Sequence, residues 1–190
     1  GLVRLAERCM GMTSHLSMPA LPARSAQRII AACKALSSLE IICFSATHAQ
    51  HSDFLIGAIS SSAPTLRHLK HPLPPNYLDS DERYHRSSLR ALCRNCRDVT
   101  TLDFSLPEPA EVTVHRLVDA LNHAPTLTTL KLGNCSNVDD RIVAPLIRAA
   151  RIEHLDVMGT AVTCEAARRL WDACVSLKTL VTSKERLTRT

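Results

Sequence analysis

The stretch Leu127-Thr-Thr-Leu130-Lys-Leu132-Gly-Asn-Cys135-Ser-Asn-Val138-Asp-Asp140 decides how this chain folds. Leu130 and Leu132 are separated by a single polar residue, the alternation of a short strand with one buried face. Val138, Ile142 and Leu146 then recur every four residues, which is the spacing of a helix with one apolar stripe. Asp139 stands where an N-cap would accept a hydrogen bond from the free amides of that helix's first turn. The unit is a short strand, a turn, and a helix running back antiparallel to the strand.

The same phrase recurs on both sides of this copy. A Cys or Ala is followed by two residues, an apolar anchor, two more residues, Leu, one residue and usually a further apolar residue. The other copies are anchored by Leu36, Leu39 and Ile41; Leu66, Leu69 and His71; Val99, Leu102 and Phe104; Ile152, Leu155 and Val157; and Leu177, Leu180 and Thr182. Cys33, Ala63, Cys96, Ala124, Ala149 and Cys174 fill the leading slot. A looser first copy, with Cys9, Met12, Leu16 and Met18, carries one extra residue. The leading anchors lie at 12, 36, 66, 99, 127, 152 and 177, so their spacings are 24, 30, 33, 28, 25 and 25, a repeat period. Val162–Leu170 aligns without a gap to Val138–Leu146, with Thr163 in the N-cap slot, and Leu117, Leu121 and Ala124 keep helical spacing. No such unit can bury its apolar face alone, so neighbours must stack.

At these residues the sequence resembles the leucine-rich-repeat family, specifically its cysteine-containing, ribonuclease-inhibitor-like class. Cys135 holds that class's Asn/Cys position, which Phe44, Pro107 and Thr160 occupy in three other copies. The likeness covers nearly the whole chain and is tightest from 96 to 182. It implies an α/β leucine-rich-repeat solenoid of about seven repeats, with a curved parallel sheet on the concave side and helices on the convex side. The repeat regions of F-box-type ubiquitin-ligase receptors look similar, which would imply a substrate-recognition role. His71 sits in an inward slot and Pro72 follows it, so the strand of that unit is expected to be short or distorted.

Such a solenoid presents the strand positions beside the leucine anchors to a partner. Glu40, Arg67, His68, Lys70, Asp103, Lys131, Glu153, His154, Asp156 and Lys178 are the candidate contacts, with Ser and Thr between them. Mixed-sign, Thr-rich side chains suit a protein partner better than a nucleic acid. An insertion at 71–82 with three prolines should leave the solenoid beside this face. It either covers an irregular junction or supplies Tyr77 as an interface anchor. On the helical side, Arg83, Arg86, Arg90, Arg94 and Arg97 step by 3, 4, 4 and 3 along one helix whose apolar face is Leu89, Leu92, Cys93 and Cys96. This secondary basic stripe reads as a solvated face, or as a dock for an acidic protein or RNA phosphates. Asp81, Glu82 and Asp98 dilute its field, and Tyr84 is the only aromatic that could stack on a base, so nucleic acid is the lesser expectation.

Nothing in the sequence points to catalysis. Five glycines in 190 residues leave little room for a phosphate-cradling loop, and the nine histidines are scattered without a nucleophile elbow or a His-Glu-x-x-His pair. Cys93-Arg-Asn-Cys96 has metal or redox spacing. Zinc would need two further ligands, and a redox pair would sit at a helix N-terminus rather than at this helix's C-terminal end. The pair is expected to pack, and no enzyme activity, metal or cofactor is expected.

With 45% hydrophobic residues and no apolar run of about 18, the chain reads as a globular domain rather than a membrane span. A net charge of +5 is too mild to name a partner class. Eight cysteines without a visible secretory signal are read as reduced thiols in a cytoplasmic protein, with nuclear or cytoskeletal association open. One domain over 1–190 is expected, as a piece of a longer chain. Leu2–Cys9 reads as a helix without its strand, and neither end looks capped. The function expected is a non-catalytic interaction or scaffold module that binds a protein through the concave face. The alternatives are a ubiquitin-ligase receptor's recognition part, or a subunit of a larger cytoskeletal or ribonucleoprotein assembly docking through the arginine helix.

Overall fold

Strands that run parallel need a crossover between them, and here each period of the sequence supplies a strand and its returning helix. The computed structural model describes residues 13–19, 23–42, 49–71, 82–106, 117, 121–149 and 151–189. The strands are β1 (His15–Pro19), β2 (Ser38–Ile42), β3 (His68–Lys70), β4 (Thr101–Asp103), β5 (Thr129–Lys131), β6 (His154–Asp156), β7 (Thr179–Val181) and β8 (Arg186–Thr188). Helices occupy Ala23–Ala32, Ala49–Ser62, Glu82–Asn95, Val143–Ala149 and Cys164–Ala173, with a 3-10 turn at Asp140–Ile142. The sheet order is the chain order. The first seven strands are parallel, giving the α/β leucine-rich-repeat solenoid expected from the sequence.

One row of leucines fixes the register. Leu16 pairs with Leu39, and the row continues through Leu69, Leu102, Leu130, Leu155 and Leu180. From Leu39 to Leu180 these side chains are buried. Leu36, Leu66, Val99, Leu127, Ile152 and Leu177 form a second buried row just before the strands, and Met18, Ile41, Phe104, Leu132 and Val157 a third beyond their centres. The helices close the other side with Ala26 and Ile30, Ile56 and Ile59, Leu89 and Leu92, Val143 and Leu146, and Ala167 and Leu170. Asp139 and Thr163 cap as expected, accepting hydrogen bonds from the amides of Arg141 (3.0 Å) and Ala166 (3.2 Å).

Hydroxyls tie each unit to the one before it. Thr65 donates to the carbonyl of Leu36 (2.9 Å), Thr126 to that of Val99 (2.9 Å), and Ser176 to that of Ile152 (3.2 Å). Each precedes the leading anchor of its own unit, so the side chain reaches back across one repeat period.

β3 is short, as expected, yet no shorter than β4 to β7, and it is not distorted: its register is unbroken, and the His71 amide continues the ladder by donating to the Asp103 carbonyl at 2.9 Å. Nor is the last parallel strand left open. β8 folds back antiparallel on β7, pairing Leu187 with Leu180. The guanidinium of Arg189 lies 4.2 Å from the centre of the Trp171 ring and donates to the carbonyls of Trp171 and Cys174. Arg189 thus satisfies carbonyls at the C-terminal end of the last helix, where its charge also suits the helix dipole. Leu2–Cys9 and the core of the insertion, 72–81, lie outside the described residues.

His71 is 3% exposed in a slot that Ile41 and Phe104 fill elsewhere, and burial pushes its pKa down to about 4. An unfolded histidine takes its proton near 6.5, so between there and pH 4 the unfolded chain binds the extra proton and folding loses stability as pH falls. The loss attributable to this residue reaches on the order of 3 kcal/mol by pH 4. His71→Leu is expected to flatten that slope. Urea unfolding midpoints of both proteins at pH 7, 5.5 and 4.5 test this, and an unchanged slope would refute it.

Candidate binding face

Because the leucine row points inward, the residues on either side of it point out of the sheet. The row preceding the leucines carries His15, Ser38, His68, Thr101, Thr129, His154, Thr179 and, on β8, Thr188. The row following them carries Ser17, Glu40, Lys70, Asp103, Lys131, Asp156, Val181 and Arg186. From Glu40 to Asp156 the charges of the second row alternate in sign, strand by strand.

The alternation brings two close pairs onto neighbouring strands, Glu40 with Lys70 and Asp103 with Lys131. Lys70 Nζ lies 2.7 Å from Glu40 Oε1, and Ser17 Oγ donates to Glu40 Oε2 at 3.4 Å. The hydrogen bond from Lys70 holds the Glu40 carboxyl below its ordinary range and raises the Lys70 ammonium in turn. Lys131 Nζ lies 3.5 Å from Asp103 Oδ2. On the outer slope Lys178 Nζ lies 2.7 Å from Glu153 Oε2, and that hydrogen bond lowers the Glu153 carboxyl. In the first row His68 Nδ1 is 3.0 Å from Thr101 Oγ1. Arg67 is exposed on the same slope.

Two of the acidic side chains also serve the backbone. Asp103, expected at the open surface, is only 8% exposed, because its Oδ1 accepts the Ser105 amide (3.1 Å) while Oδ2 faces Lys131. Asp156 Oδ1 likewise accepts the Met158 amide at 2.9 Å. Both form Asx turns that end their strands.

The concave side deepens at its C-terminal end into a cavity of about 400 Å³ lined by Thr129, Lys131, His154, Leu155, Asp156, Thr179, Val181 and Arg186. Lys131, His154 and Asp156, three of the candidate contacts, line it together with Val181 and Arg186, which the sequence reading did not include. The signal was the pattern Arg186-Leu187-Thr188 after a polar turn, which reads as one more alternating strand.

On the helical side, Arg90, Arg94 and Arg97 are exposed, opposite the buried Leu89, Leu92, Cys93 and Cys96. The side chains of Arg83 and Arg86, and the whole of Tyr77, lie outside the described residues. Burial pushes the thiols of Cys93 and Cys96 up to about 12 and about 11, which keeps them protonated and poorly nucleophilic at neutral pH. Among the described residues, no three His, Cys, Asp or Glu side chains gather around a possible ion site, and no helix is long and apolar enough to cross a membrane.

No family model matches the sequence, and no curated protein sequence matches it. Solved structures do share its fold. An internalin from Listeria monocytogenes superposes with a TM-score of 0.53 at 13% identity, over 93% of this chain and 49% of that one. The C-terminal domain of tropomodulin from Caenorhabditis elegans gives 0.51 at 14% identity, over 92% of both chains. The chain therefore spans about half the length of the internalin and nearly all of the tropomodulin domain.

The charge ladder makes a specific demand on order. Lys70→Glu places a third carboxylate between Glu40 and Asp103 and is expected to lower stability by about 1 kcal/mol, since like charges on adjacent strands repel. Glu40→Lys added to it restores an opposite pair and should recover most of the loss. Chemical denaturation of the two single variants and the double variant measures the coupling, and strict additivity would show that the ladder is not coupled.

Proposed function

We propose that the chain is a non-catalytic protein-interaction module that binds a protein partner across its concave sheet, with the contacts concentrated over β5 to β8. The observation that carries this reading is the cavity where Lys131, His154 and Asp156 converge with Thr129, Thr179 and Arg186 on a rigid sheet. Eight strands about 4.8 Å apart span roughly 34 Å, long enough for a standard interface of about 800 Å² per partner. Glu153 and Lys178 flank the cavity, while Glu40, Arg67, His68 and Lys70 lie toward the other end of the face. The two structural neighbours support the solenoid scaffold on which this reading rests.

A second reading has its own observation. Arg90, Arg94 and Arg97 stand exposed in one line on the helical side, which suits docking to an acidic surface in a larger assembly.

Lysine-directed cross-linking of the full-length protein purified from its own cells separates the two. Links from Lys131 and Lys178 to one dominant protein, lost in His154→Arg and kept in Arg90→Glu/Arg94→Glu, are the expected result. Links that vanish only in the arginine variant would replace the concave reading with the helical one.

A further inference from the structure

We infer that the cavity over β5 to β8 receives a carboxylate side chain from an extended segment of the partner protein, with Arg186 as its counter-ion and Val181 as an apolar surface beside it. This deepens the concave-face reading above and rests on it.

The charge ladder leaves one cation over. Lys70 and Lys131 each face a carboxylate on a neighbouring strand. The alternation would put a cation on β7 next to Asp156, but Val181 stands there and the cation comes one strand later, as Arg186 on β8. Two strand spacings, about 10 Å, separate Arg186 from Asp156 at the backbone. Asp156 meanwhile gives one oxygen to the Met158 amide. Arg186 is exposed, and among the described residues its guanidinium has no ion pair or hydrogen bond. Of the two cations lining the cavity, it is the one without a carboxylate.

A guanidinium offers a planar fork of donors that fits a carboxylate at two points. Here it is presented on a backbone fixed from both sides: Leu187 pairs with Leu180 in the leucine row, and Arg189 is clamped to Trp171 and Cys174. A partner acid would meet a backbone that is already ordered, leaving only the Arg186 side chain to settle on binding. Thr129, His154 and Thr179 provide donors and acceptors on the adjacent row for the polar backbone of an extended segment. Val181 gives the aliphatic stem of Asp or Glu a non-polar neighbour.

The test uses the full chain, immobilised, to select from a random dodecapeptide library displayed on phage; the enriched peptides are then synthesised and titrated by fluorescence polarisation. The expected result is a recurrent Asp or Glu whose change to Asn or Gln weakens binding about fivefold. Arg186→Gln should cost the same with no further loss in combination, and Arg186→Glu should prefer the peptide with that acid changed to Lys. Circular dichroism of each variant confirms that the fold is kept. Peptides that Thr179→Trp blocks but that ignore Arg186→Gln would overturn this inference and leave the concave reading standing. Peptides indifferent to Thr179→Trp, no enriched peptide, or binding of an oligouridine alone would overturn both.

Discussion

Everything in this molecule depends on one row of leucines held in register across parallel strands. Among the described residues, five of the seven parallel strands are only three residues long, so their own ladders contribute few hydrogen bonds. Burial must supply the rest, at about 2 to 3 kcal/mol for each leucine fully removed from water. A slip of one residue would turn a leucine to solvent and a Thr, His or Ser into the core, so the alternate registers are all costly. No unit has a core of its own, and stability is therefore shared between neighbours. That sharing explains how the third unit tolerates His71: Leu66 and Leu69, just before the substituted slot, are still buried and anchor the unit.

The polar groups divide into those that hold the scaffold and those that remain for a partner. Thr65, Thr126 and Ser176 satisfy carbonyls of the preceding unit, Asp103 and Asp156 close turns, and Asp140 accepts from the amide and hydroxyl of Thr163 at 2.8 and 2.9 Å. These bonds answer the requirement that backbone donors and acceptors near the core find partners. They also withdraw side chains from recognition. Asp103 looks like a surface residue in the sequence, yet its carboxylate is already divided between Ser105 and Lys131. Position on the concave face is a weaker guide to recognition than what each polar atom already touches.

The repeat period and the leucine pattern were legible because burial of one face imposes them directly on the sequence. The N-caps at Asp139 and Thr163 were legible for the same local reason. β8 was legible only faintly, because Arg186-Leu187-Thr188 is a single alternation lacking the leading anchor of the repeats, and antiparallel pairing needs only the short turn before it. His71 misled in part. A histidine before a proline suggested a short or distorted strand, and β3 is short, but it is not distorted: the ladder requires only the histidine's backbone amide, and the apolar slot accepts a neutral imidazole. The charge ladder is written in the sequence at Glu40, Lys70, Asp103, Lys131 and Asp156. It becomes visible only when strands whose ladder residues lie 25 to 33 positions apart are laid side by side.

That ladder also determines where the concave face is open. A cation between two carboxylates has its field largely cancelled within a few ångströms, so the middle of the sheet presents little net charge to an approaching partner. The cancellation needs a charge on every strand, and it stops at Val181. Beyond it, β8 adds a cation with no carboxylate beside it, while the same strand shields the edge of the last parallel strand from pairing with another chain. Closing the edge and exposing a charge are two consequences of one three-residue strand.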